Sequence, residues 1–82
     1  MISTEAKKIK ALLWLIAACR KYGTISAGDY YRYVEEELKM AHNTGLALLN
    51  RLLELGLIER ETLKVIDCAK LWRYVEWLTE RV

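Results

Sequence analysis

Nine consecutive apolar residues, Ala11 to Cys19 (ALLWLIAAC), constrain this chain more than any other feature. A membrane-spanning helix needs about 20 such residues, so the run reads as a helix inside a protein and not as an anchor. A helix that is apolar all round has to be covered on more than one side. In a chain of 82 residues that cover must come from most of what remains. So short a chain supports one domain, over residues 1–82, and buries only about 60% of its unfolded surface. The composition supplies the material, with 54% apolar residues against the usual ~45–50%. The absence of Pro and the presence of only 4 Gly exclude collagen, a Pro-rich linker or a low-complexity tail. A net charge of +2 is too weak for a histone-like coat and too balanced for a disordered acidic segment.

The chemistry-bearing residues exclude several function classes. Cys19 and Cys68 are 49 positions apart, no CxxC occurs, and His42 is the sole histidine. A tetrahedral zinc site needs four N or S ligands, so no metal and no cofactor is expected. Both cysteines sit in apolar surroundings and read as reduced core residues. With no signal peptide visible, that points to the cytoplasm. His42 has no evident Ser or Cys partner for nucleophilic catalysis, and no Gly-rich phosphate loop occurs. Glu35, Glu36 and Glu37 read as a solvated helix face, not as a catalytic dyad. The expectation is a non-enzyme.

Along the chain, helical spacing predicts a first helix over Thr4–Tyr22, capped by Ser3 or Thr4 and stopped at Gly23. Thr24-Ile25 reads as a short extended link. Ser26, with Asp29 three residues on, opens a second helix whose stripe is Tyr30 or Tyr31, Val34 and Leu38. A third helix runs from about His42 to Leu55, stopped by Gly56. Leu57–Glu61 and Lys64–Cys68 read as two strands joined at Thr62-Leu63, although no Asn-Gly turn marks a hairpin. Asp67 is placed to cap a last helix to about Arg81, with Leu71, Val75, Leu78 and Val82 as its stripe.

The stretch from Leu38 to Glu61 (LKMAHNTGLALLNRLLELGLIERE) resembles the winged helix-turn-helix superfamily: a second helix, a tight turn, a recognition helix, then Gly-Leu-Ile leading into a charged strand. The resemblance needs no gap and, with the flanking elements, covers nearly the whole chain. It implies an α+β fold, mostly α, ordered helix, short strand, helix, recognition helix, β-hairpin wing, C-terminal helix. Where many members have Gly in the turn, this chain has Lys39.

Two functions follow from the third helix. At 100° per residue, Gly45, Leu49 and Leu52 share one face, and Gly45 allows close approach to the second helix. Asn43, Ala47 and Asn50 lie opposite, with Arg51 at the edge. Asn pairs bidentately with adenine and Arg with guanine, so these four residues suit base edges, with Lys39, Arg60 and Lys64 at phosphates. The first function is therefore a regulator that binds duplex DNA. Against it, residues 41–68 carry three basic and four acidic residues, a net −1, and Glu54 sits on the free face. The second function is an adaptor that uses the same surface to bind a partner protein in a replication or transcription complex. Under either, Trp14, Trp72, Tyr74 and Trp77 on the two terminal helices are more apolar surface than so small a domain encloses, and they predict a homodimer or partner interface.

Overall fold

The computed structural model describes residues 4–61, 63, 65 and 68–80, with Cys68 given by its backbone alone. Four α-helices make up most of it: α1 (Thr4–Tyr22), α2 (Ala27–Arg32), α3 (His42–Glu54) and α4 (Cys68–Glu80). α2 continues directly into a π-helical turn, Tyr33–Glu37.

Three of the helix ends are closed by the same device, a residue in the left-handed region. Gly23 (φ 82) ends α1 and donates its N–H to the Cys19 carbonyl at 2.8 Å. Gly56 (φ 69) ends α3, where the Gly56 and Leu57 N–H groups donate to the Leu53 and Leu52 carbonyls. That pair of bonds is a Schellman motif. Lys39 (φ 57) does the same after the π-helical turn, and the Met40 N–H reaches back to the Val34 carbonyl at 2.9 Å. At its other end α2 is capped by Ser26, whose hydroxyl accepts from the Asp29 N–H at 3.0 Å.

α1 lies at the centre of the core, as its all-round apolar character requires. Ala11, Leu12, Leu15, Ile16 and Ala18 are buried, and α4 packs along α1 through Leu71, Val75 and Leu78. α2 contributes Tyr30, the π-helical turn contributes Val34, and α3 contributes Leu48, Leu49 and Leu52. Of the two tyrosines open for the α2 stripe, Tyr30 is the buried one and Tyr31 only partly so.

The fold is all-α, which corrects the α+β expectation and its hairpin wing. Among the described residues there is no strand and no sheet, only an isolated antiparallel bridge between Ile58 and Val65. The physical reasons are local. A strand with one buried face alternates, yet Leu57 and Ile58 are both buried. Leu63, expected in the hairpin turn, has φ 52 and sinks its side chain into the core. Cys19 then holds this segment to α1: its thiol donates to the Leu63 carbonyl at 3.6 Å, and its sulfur accepts the Val65 N–H at 3.4 Å. Residues 24–26 are likewise irregular and form no strand, with Ile25 buried. Ser3, Thr62, Ile66, Asp67 and Val82, assigned above to caps, turn, strand and stripe, lie outside the described residues.

Candidate functional site

α3 is held from behind and open in front. Gly45 faces the π-helical turn so closely that a Cβ there would lie 3.0 Å from Val34 Cγ2. Tyr30 donates its hydroxyl hydrogen to the Gly45 carbonyl at 2.7 Å, inside the core. Desolvation, with a smaller push from neighbouring Tyr31, drives the Tyr30 phenol far above the ordinary tyrosine range, so it stays a donor. At the helix start, His42 stacks on Tyr31 with ring centroids 4.7 Å apart. Its Nδ1 also lies 3.2 Å from Glu35 Oε2. The position of α3 relative to α2 is thus set by packing, a buried hydrogen bond and a surface pair.

The opposite face is free. Asn43, Ala47, Asn50 and Arg51 are all exposed, as the spacing predicts. Arg60 is also exposed and joins Asn50, Leu53 and Glu54 around a shallow cleft of about 230 Å³. Lys64 lies outside the described residues. Glu54 stands at 3.5 Å from Arg51, so the guanidinium expected at a base edge shares its charge with a carboxylate on its own helix.

Lys39 opens this face. It occupies the left-handed turn position where the resemblance would put Gly, and its carbonyl accepts a hydrogen bond from Lys7 Nζ at 3.3 Å. Through this bond Lys7 joins the candidate site, a contact the sequence does not show. The charge count over residues 41–68 leaves out the first helix, because spacing along one helix does not say which neighbour its faces meet. The contact brings Lys7 of α1 to the turn that precedes α3.

The aromatic residues divide. Trp72 and Trp77 on α4 are 42% and 48% exposed, and Tyr74, partly buried, stacks on Trp77. Trp14 is engaged elsewhere, stacked on Tyr33 of the π-helical turn with centroids 4.8 Å apart and rings 8° from parallel. On α1 the exposed large apolar residues are Leu13, 38% exposed, and Tyr22 at the helix end.

Among the described residues no three His, Cys, Asp or Glu side chains come together so as to hold a metal ion. Among them, too, no helix is long and apolar enough to cross a membrane. Set against known protein families, curated proteins and solved structures, the chain matches no family model, no curated protein and no solved structure.

Proposed function

We propose that this chain is a non-enzymatic helix-turn-helix protein that binds duplex DNA through α3 and acts as a homodimer. The observation that carries the reading is the two-sidedness of α3. Its inner face is fixed to α2 at Gly45, while Asn43, Ala47, Asn50 and Arg51 project from the outer face unpacked. A recognition helix needs a rigid back and a free polar front narrow enough for a major groove, and Ala47 keeps the middle of that front small. Lys39 and Lys7, joined at the turn, supply cations where the sugar-phosphate backbone flanks the groove. They offset the acidic balance of residues 41–68, which counted against DNA when the chain was read linearly. Arg60, beside Asn50, is the further phosphate ligand. The dimer rests on Trp72, Trp77 and Leu13, apolar surface that a second copy would cover.

One observation supports the second reading, an adaptor that binds a partner protein. Glu54 neutralises Arg51 and places a carboxylate on the face that would approach phosphates. A single titration separates the two readings. Fluorescence anisotropy with random-sequence duplex DNA at low salt should show binding that Arg51→Ala weakens by about 1–3 kcal/mol. Wild type and variant binding with equal affinity at low salt, and both in the non-specific range of about 10⁻⁴–10⁻⁶ M once salt is raised to physiological strength, would remove the DNA reading and leave the adaptor.

A further inference from the structure

A cleft of about 650 Å³ opens between α1 and the π-helical turn, apart from the outer face of α3. Its volume falls in the roughly 300–1,000 Å³ range of small-molecule sites. Three aromatic side chains, Trp14, Tyr22 and Tyr33, line it, and three carboxylates, Asp29, Glu36 and Glu37, stand with them. Arg32 is the basic residue of the lining, and Asp29 already holds it at 3.7 Å. Glu36 and Glu37 form no ion pair with a described residue. The cleft is therefore aromatic and electronegative together.

Those two properties select a kind of ligand. Carboxylates alone would suit many cations, including divalent metals, but a metal ion takes an oxygen shell and gains nothing from rings. An alkylammonium uses both, its charge meeting carboxylates and ring faces while its methylenes cover apolar surface. The chain itself gives an instance at this wall, since Lys21 Nζ lies 5.3 Å from the centroid of the Tyr22 ring. The Trp14–Tyr33 stack fixes two of the rings, so the aromatic side of the cleft is formed before any ligand arrives. Glu36 and Glu37 share the π-helical turn with Tyr33, which holds charge and ring on one short element.

We propose that the cleft between α1 and the π-helical turn binds a small aliphatic polyamine, with Glu36, Glu37 and the Tyr33 ring face receiving its ammonium groups and Trp14 and Tyr22 receiving its chain. The site does not depend on the DNA reading. It gives the protein a second ligand, of a charge opposite to that of a nucleic acid.

The test is a titration of the full chain with spermidine, followed by NMR through the indole N–H signals of the three tryptophans, that of Trp14 being assigned from its loss in Trp14→Phe. Sodium chloride and magnesium chloride at matched ionic strength serve as charge-only comparisons. The Trp14 signal should shift and saturate with spermidine while those of Trp72 and Trp77 stay in place. Glu36→Gln with Glu37→Gln should weaken binding about tenfold, as loss of two exposed ion pairs would. Tyr33→Leu should weaken it about two- to fivefold, the effect of one exposed cation–π contact. Both glutamates are exposed, so their variant keeps the fold, and an unchanged pattern of amide signals verifies it. An equal Trp14 shift with magnesium, a shift that never saturates, or undiminished affinity in the double glutamine variant overturns the proposal.

Discussion

The Tyr30 hydroxyl donates to the carbonyl of Gly45 at 2.7 Å, tying α2 to α3 inside the core. The two residues depend on each other. A side chain at position 45 would be driven into Val34, 3.0 Å from its Cγ2, and would push the carbonyl away from the phenol. Without that carbonyl, the Tyr30 hydroxyl would be buried with no acceptor. The outer face of α3 therefore inherits its orientation from a contact made wholly behind it.

Gly45→Ala is expected to destabilise the protein despite the better helix propensity of Ala. Propensity favours the change by about 1 kcal/mol. Overpacking costs about 1–3 kcal/mol, and Val34 is fully buried and stiff at χ1, so it cannot yield. A net loss of about 1 kcal/mol should lower the melting temperature by about 4–8 °C in a domain of this size. In a Val34→Ala background the same change should become neutral or stabilising. Equal losses in both backgrounds, in calorimetry or chemical denaturation, would show that the close approach is not what position 45 serves.

Tyr30 predicts a specific alkaline sensitivity. Burial raises its folded-state pKa above the ordinary value of about 10. The folded state therefore holds the proton where the unfolded state releases it. Its contribution is complete below about pH 10 and is lost above it, by up to about 1.4 kcal/mol per pH unit. Tyr30→Phe should cost about 1 kcal/mol at neutral pH through the lost hydrogen bond, and should flatten the decline above pH 10. Denaturation midpoints of both proteins between pH 8 and 11 (about the range set by the tyrosine reference value) make the comparison. Parallel curves would count against a buried, protonated Tyr30.

What the sequence revealed follows from how local each signal is. α1 was legible from Thr4 to Tyr22 because hydrophobic run, terminal charges and Gly23 all point to the same ends. The Ser26 cap and the outer face of α3 were legible for the same reason, since caps and helical periodicity are read from residues within a few turns. The hairpin was misread because β-branched Val65 and apolar Leu57 and Ile58 look like strand residues, while what fixes them is distant: the sulfur of Cys19 and the core that takes Leu63. Met40 was missed as a core residue, because its burial follows from the left-handed turn at Lys39 and not from any helical stripe. Lys7 was missed as part of the site because its partner is 32 residues away.

Lys39→Gly should separate stability from binding. A non-glycine residue at φ 57 is strained, and Gly at the same place after a helix relieves it. The substitution is expected to stabilise the fold by about 1 kcal/mol. It also removes a cation from the entrance of α3, so DNA affinity should fall by a similar factor on every sequence, with the salt slope reduced by about 1. A variant that is more stable and binds DNA unchanged would take Lys39 out of the interface.

The exposed tryptophans predict association. Sedimentation at micromolar concentration should give a dimer for the wild type and a monomer for Trp72→Glu with Trp77→Glu. Both side chains are more than a third exposed, so charge there should interrupt an interface without opening the core. A wild type that sediments as a monomer at high concentration would leave these residues to another partner.

The Arg51–Glu54 pair gives the sharpest division between the two functional readings. At 3.5 Å and on the solvent side of α3, the pair contributes little to stability, so either residue can be changed without disturbing the fold. If α3 enters a major groove, Glu54→Gln removes a charge that repels phosphates and releases Arg51 to bind bases or phosphates. DNA affinity should then rise, by about two- to fivefold for an exposed pair of ordinary strength. The gain should shrink with added salt, because such charges are screened over about 10 Å at 0.1 M. Adding Arg51→Ala to Glu54→Gln should abolish the gain, since the freed guanidinium was its main source. If the face instead binds a protein, the pair is part of what the partner recognises. Glu54→Gln would then leave weak DNA binding as it was and lower partner affinity. Salt-dependent anisotropy of wild type, Glu54→Gln and the double variant on one duplex decides the matter, and three coincident weak curves would exclude DNA reading by α3.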